Sequence, residues 1–138
     1  NQLADAGPLA NLAQLQRLKL YGNRLTDIGP LAKLTQLENL HLTCSQLTDV
    51  GPLAGLTKLK TLILSGKNKL TDVSPLAGLT QLKKLYLSYN RLTDVTPLAK
   101  LTDLEFLYLR DNPNLTKVQI DKLQKALPNC KINHNAKK

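Results

Sequence analysis

Residues 79–100, LTQLKKLYLSYNRLTDVTPLAK, are one cycle of a pattern that recurs along nearly the whole chain, with counterparts beginning at Leu12, Leu34, Leu56 and Leu101. The period is 22 residues, with one cycle of 23, and residues 1–11 match the second half of a cycle from Asn90 onward. A fixed period of this length leaves few folds open. One unit cannot bury its apolar face alone, so successive units must stack into a solenoid around a continuous core. At 138 residues the chain is of single-domain size. Apolar residues make up 42%, yet Trp and Met are absent and there is one Phe, so the core must be aliphatic and mostly Leu. About seven aliphatic side chains per cycle, each contributing roughly 1.5–3 kcal/mol on burial, suffice for a stable core. No apolar run approaches the ~20 residues of a membrane span, and no signal-peptide pattern is present.

Each cycle has three parts. The spacing LxL at Leu18/Leu20, Leu40/Leu42, Leu62/Leu64, Leu85/Leu87 and Leu107/Leu109 is the period-2 pattern of a strand with one buried face, which predicts five parallel strands. The Asn that follows, at Asn23, Asn90 and Asn112, has a short amide able to bond the backbone of the turn and its neighbour. Then comes LTD(I/V)xPL, where Pro30, Pro52, Pro75 and Pro97 fix φ at the start of a return arm. That arm is too short for a long helix, which predicts 3₁₀ turns or extended backbone on the convex side.

The C-terminus leaves the period. Thr116 with Gln119 forms a capping-box pattern, and Ile120, Leu123 and Leu127 fall at helical spacing before Pro128. Cys130 and Ile132 alternate with Lys131, predicting a sixth, edge strand that closes the core, and the polar tail 133–138 is expected to fray. The expected organisation is a single domain of a partial repeat (1–11), repeats 12–33, 34–55, 56–78, 79–100 and 101–115, a cap (116–132) and the tail. A half cycle at the start is no polar terminal unit of the kind solenoids need. The expectation is that the chain is part of a longer protein, or that another surface, a second copy included, covers its first repeat.

The string LTxLxxLxLxxNxLTDVxPLAxLT marks a leucine-rich repeat and resembles the 22-residue class of bacterial internalins and internalin-like proteins. The ending NLTKVQIDKLQKALPNCKI resembles the C-terminal cap of bacterial leucine-rich repeat proteins. The resemblance covers about the whole chain, although the internalin-type helical N-terminal cap is missing from it. It implies a right-handed α/β horseshoe with a concave parallel sheet, and a protein-binding scaffold whose partners vary from member to member. It also implies a secreted or cell-surface bacterial protein. Both cysteines are expected to be free, because Cys44 and Cys130 lie about 19 Å apart across four strand spacings, far beyond the ~7 Å a disulfide allows. Free thiols leave the cytoplasm open as well.

Specificity must come from side chains the frame does not require. Beside the strand leucines, facing the concave side, stand three columns: Arg17, Asn39, Thr61, Lys84 and Phe106; Lys19, His41, Ile63, Tyr86 and Tyr108; and Tyr21, Thr43, Ser65, Ser88 and Arg110. All five aromatics, Tyr21, Tyr86, Tyr89, Phe106 and Tyr108, fall on or beside these positions. Cross-strand packing alone favours aromatics on strands, but it would place them on the buried face too, where this chain has none. Ile63, Tyr86, Tyr108 and Phe106 are therefore expected to form one apolar patch of the kind found at the centre of protein interfaces.

Charge adds a second axis. The net charge is +9, and the concave columns carry Arg17, Lys19, Lys84 and Arg110 with no Asp or Glu. The expected partner is another protein with an acidic or mixed surface. A basic face with stacking aromatics is also compatible with single-stranded nucleic acid, but the remaining Lys and Arg are spread over loops, cap helix and tail as a solvated surface would have them. An alternative of a different class is a structural spacer or oligomerisation segment of a larger surface protein. Asp5, Asp27, Asp49, Asp72 and Asp94 recur once per cycle. One carboxylate per cycle does not converge as Ca²⁺ requires, so surface pairing or turn hydrogen bonding is expected there. His41 and His134 are far apart and no CxxC exists, so no zinc site is expected. No phosphate loop, GxSxG or HExxH is present, and His41 has no acid or nucleophile beside it. Neither enzyme nor cofactor is expected. Ser45 in place of the turn Asn, and the insertion at Gly66, Lys67, Asn68, Lys69, make two adjacent turns irregular beside Cys44, where a local bulge would shape one rim of the surface.

Overall fold

In a computed structural model of the chain, which describes residues 7–23, 27–44, 47–65 and 69–137, the LxL segments form one parallel sheet of six strands in sequence order. The strands are β1 (Arg17–Asn23), β2 (Asn39–Cys44), β3 (Thr61–Ile63), β4 (Lys84–Tyr86), β5 (Phe106–Tyr108) and β6 (Lys131–Asn133). The side chains of residues 22, 23 and 44, and the expectations for Asp5, Ser45 and the insertion at 66–68, lie outside the described residues.

Register follows the repeat. Leu18, Leu40, Leu62, Leu85, Leu107 and Ile132 stand opposite one another across the sheet. Every strand therefore points the same frame residues inward, where period 2 leaves its other face to solvent. In the fourth cycle all seven frame residues, Leu79, Leu82, Leu85, Leu87, Leu92, Val95 and Leu98, are buried.

Return arms are 3₁₀ turns, as the short LTDVxPL segment requires: Gly7–Asn11, Gly29–Lys33, Gly51–Leu53, Ser74–Gly78 and Thr96–Lys100. Proline stands in the first turn of those at 29, 51, 74 and 96, where its missing N–H costs no hydrogen bond. The recurrent Asp sits just before. Asp27, Asp49, Asp72 and Asp94 each accept from the backbone N–H two residues on, at 2.8–2.9 Å. That bond to Ser74, then the Ser74 side chain, holds the Asp72 carboxyl below its ordinary value, and Thr96 does the same for Asp94. The role of these four aspartates is turn hydrogen bonding.

The turn asparagines are structural. Asn90 Nδ2 donates to Leu64 O and Leu87 O at 3.0 Å, and Asn112 Nδ2 donates to Leu87 O at 2.9 Å and Leu109 O at 3.0 Å. Each amide thus ties its own strand end to the preceding one. Tyr89 and Asp111, immediately before them, both adopt φ 61°, a left-handed conformation that reverses the chain at a modest cost for non-glycine residues.

The cap forms as its sequence indicates. Helix α1 (Lys117–Ala126) opens with a complete Thr116/Gln119 capping box, and Gln119 Nε2 also donates to Thr93 O of the preceding arm at 2.8 Å. Gln124 Nε2 then donates to Leu127 O and Cys130 O, setting the turn into β6.

The tail departs from the expected fraying. Asp111 N donates to Asn135 Oδ1 at 2.8 Å, Asn135 Nδ2 returns a bond to Asp111 Oδ1, and Lys117 N donates to Lys137 O. Ala136 packs against the core. Residues 134–137 thus carry the sixth rung on from β6, their backbone and Asn135 finding partners at Asp111 and Lys117.

At the opposite end burial falls away. Leu12 is 47% exposed, and Leu9, Leu15 and Leu18 are only partly buried.

Candidate functional site: the concave face

Two of the three outward columns run in register across the whole sheet, and the third is paired only at Tyr21 and Thr43. Arg17, Asn39, Thr61, Lys84, Phe106 and Lys131 form one row across the sheet, and Lys19, His41, Ile63, Tyr86, Tyr108 and Asn133 form the next. Lys131 and Asn133 extend rows that sequence reasoning ended at Phe106 and Tyr108. The alternation that predicted β6 was enough to place them there. Lys131 adds a fifth cation to Arg17, Lys19, Lys84 and Arg110.

The aromatics divide into two groups. Tyr86 and Tyr108, opposite one another on β4 and β5, stack with centroids 4.3 Å apart and planes 14° from parallel. Ile63 stands beside Tyr86 in the same row, and Lys84 Nζ lies 5.9 Å from the Phe106 ring centroid, where the ring face attracts it. Ile63, Tyr86, Phe106 and Tyr108 are therefore one half-buried platform. Burial first, and then the neighbouring Tyr108, pushes the Tyr86 phenol above its ordinary value, so it stays neutral at physiological pH. Past β5 the platform borders a recess of about 690 Å³ that includes Gln124 and Lys131.

The second group is at the other end. Tyr21 meets His41 edge to face, with centroids 4.6 Å apart, and His41 Nε2 is hydrogen-bonded to the Thr43 hydroxyl at 2.8 Å. Tyr21 is thus not part of the platform. Tyr89 is separate as well, projecting from its turn at 55% exposure. Ser65 and Ser88 are half-buried and Arg110 is exposed along the third column.

Burial, and secondarily the Lys19 charge beside it, lowers the pKa of His41. With the folded pKa below the unfolded one, protons bind the unfolded chain first as pH falls below about 6.5. Stability contributed by neutral His41 is therefore intact above pH 6.5 and lost as pH falls through that value toward the folded pKa. Thermal melts at pH 7.5 and 5.5 should show a smaller drop in Tm for His41→Asn than for the parent. Equal drops would refute the assignment.

Among the described residues no group of three or more His, Cys, Asp or Glu is placed to hold a metal ion. Cys130 is a buried free thiol whose pKa burial pushes up to about 11, so it carries no thiolate at neutral pH. None of the described helices is long and apolar enough to cross a membrane.

Comparison with known proteins fits this geometry. The family model for leucine-rich repeats in two copies matches residues 13–53, 35–78 and 80–129. Internalin C2 of Listeria monocytogenes superposes with a TM-score of 0.87 at 41% identity, over 96% of this chain and 56% of its own length. The internalin inlF of the same organism gives 0.90 at 33% identity, over 99% of this chain and 39% of that one. A leucine-rich repeat protein of Leptospira interrogans gives 0.86 at 30% identity, over 96% and 35%. The chain thus spans little more than half the length of the first of these and less of the others. No protein with a curated description matches it. With the repeat frame, the register of the sheet and these likenesses in agreement, the chain belongs to the leucine-rich repeat family, as an internalin-like member.

Proposed function

We propose that the chain is a protein-binding module that engages its partner on the concave face, with Ile63, Tyr86, Phe106 and Tyr108 as the apolar centre. The observation that carries this reading is the stacked Tyr86/Tyr108 pair, left half-exposed on a rigid sheet while every aliphatic frame residue around it is buried. Rigid aromatics lose little conformational entropy on binding and concentrate at the energetic centre of interfaces. Lys84, Arg110 and Lys131 flank the platform and Arg17 and Lys19 stand farther along the same face, so encounter with an acidic partner is accelerated and sensitive to salt. Tyr21, His41, Thr43, Ser65, Ser88 and Tyr89 form the rim.

The test is a Tyr86→Ser, Tyr108→Ser variant. Both side chains point outward, so its Tm should stay within a few degrees of the parent. Affinity for proteins captured by the parent from a cell lysate should fall about thirtyfold or more, the ~2 kcal/mol of a lost hot spot. A folded variant that retains the same partners at the same affinity would sink the reading.

A second reading, self-association, rests on the exposed Leu12 and the partly buried Leu9, Leu15 and Leu18 at the first repeat. Sedimentation of the isolated chain over a hundredfold dilution separates the two, since only this reading requires a concentration-dependent mass.

A further inference from the structure

The concave face holds a second feature, at some distance from the tyrosines. A recess of about 360 Å³ opens over β1, β2 and β3, lined by Arg17, Lys19, Asn39, Thr61, Ile63 and Leu18. Four of these carry polar heads. Arg17 and Lys19 offer only donors, the Asn39 amide and the Thr61 hydroxyl can donate, and all four come from adjacent positions of three successive strands. Among the described residues no side-chain hydrogen bond or ion pair engages any of them, and the two ion pairs, Lys60 with Glu38 and Lys117 with Asp121, lie outside the three columns. The columns themselves contain no carboxylate. A hollow with two exposed positive charges, two further donors and no carboxylate among its lining residues is suited to receive an anionic group. Arg17 can do so through two parallel N–H bonds.

Ile63 belongs both to this recess and to the apolar platform, so the two are continuous. The centre of the recess, over β2, and the centre of the Tyr86/Tyr108 pair, between β4 and β5, are two and a half strand spacings apart, or about 12 Å. An extended peptide crossing the strands advances ~3.3 Å per residue, so it covers that span in three to four residues.

We infer that the concave face recognises an extended acidic segment of a protein partner, with an Asp or Glu carboxylate in the Arg17/Lys19/Asn39/Thr61 recess and an aromatic or aliphatic side chain three or four residues away on Tyr86 and Tyr108. The inference rests on the protein-binding reading and narrows it to a partner chemistry and a spacing. His41, in the same row between Lys19 and Ile63, stands at the lip of the recess. The charged group facing it is Lys19 of β1, with Tyr21 of β1 and Thr43 of its own strand as neutral neighbours. β3 presents the uncharged Ile63.

Selection of random twelve-residue peptides on the whole chain at 50 mM salt tests this without a known partner. Enriched peptides should pair an acid with an aromatic or aliphatic residue three or four positions away. For one such peptide, replacing the acid by its amide should weaken binding about tenfold on the parent protein and not at all on an Arg17→Ser, Lys19→Ser variant. Enriched peptides without the acid, or a full amide penalty on that variant, would overturn the inference. If such peptides are lost on Tyr86→Ser, Tyr108→Ser but kept on Arg17→Ser, Lys19→Ser, the acidic-segment inference fails and the concave-face reading stands. Retention on both variants, or no enrichment at all, counts against both.

Discussion

Asn112→Ala is expected to cost about 3 kcal/mol of stability, a large effect for one polar side chain. The amide is 3% exposed. Its Nδ2 donates to Leu87 O and Leu109 O, and its Oδ1 accepts from Leu92 N at 3.1 Å. Alanine takes away the partners of the Leu109 carbonyl and the Leu92 N–H at a buried strand end, while Leu87 O keeps its bond from Asn90 Nδ2, and each unsatisfied group costs ~1–3 kcal/mol. These penalties do not sum fully, because the turn can shift and water can reach part of the gap. About 3 kcal/mol is what remains, or roughly 10 °C in Tm for a domain of this size. Asn112→Asp gives no relief, since a carboxylate would face two carbonyl oxygens. Urea unfolding checks both variants. A loss under 1 kcal/mol would mean that the strand ends do not depend on the amide. The same change at Asn90 should cost somewhat less, its bond from Leu70 N being long at 3.4 Å.

These asparagines also mark how far the sequence could be read. Frame leucines, turn amides, prolines and capping box are local signals repeated at a fixed period, so their spacing alone predicted strands, 3₁₀ arms and cap. The alignment of repeats also implied the register that makes Ile63, Tyr86 and Tyr108 neighbours. Ring orientation is another matter. That Tyr86 and Tyr108 stack nearly parallel, while Tyr21 turns edge-on to His41, depends on rotamers and surrounding space, which no spacing encodes. The tail was misread for a related reason. Asn135 is polar and terminal, and its bonds to Asp111 span 24 residues with no period linking the two. The recess at Arg17, Lys19, Asn39 and Thr61 lay between these cases. Its residues were placed in the right columns, but Asn39 and Thr61 are unremarkable alone. They acquire meaning as donors only when the sheet sets them beside the two cations of β1.

Leu85→Ala should be the more damaging change, at about 3–5 kcal/mol, while Leu12→Ala should cost no more than about 0.5 kcal/mol, although both truncate a frame leucine of the same repeat pattern. Leu85 is fully buried, with Leu62 and Leu107 opposite it on the flanking strands. Its removal opens a cavity that two neighbouring repeats must share, and backbones held on both sides cannot close it. Leu12 is 47% exposed and already pays part of its burial to water. In a solenoid each repeat contacts only its neighbours, so cost should track a leucine's position along the stack, with central cycles several kcal/mol more sensitive than the first. The functional consequence is specific. Leu85 lies between Lys84 and Tyr86, so a loosened β4 displaces the tyrosine platform before the chain unfolds. Peptide affinity measured well below the Tm should therefore fall for Leu85→Ala and stay unchanged for Leu12→Ala. Undiminished affinity in a destabilised Leu85→Ala protein would show that the platform's geometry does not depend on the core beneath it.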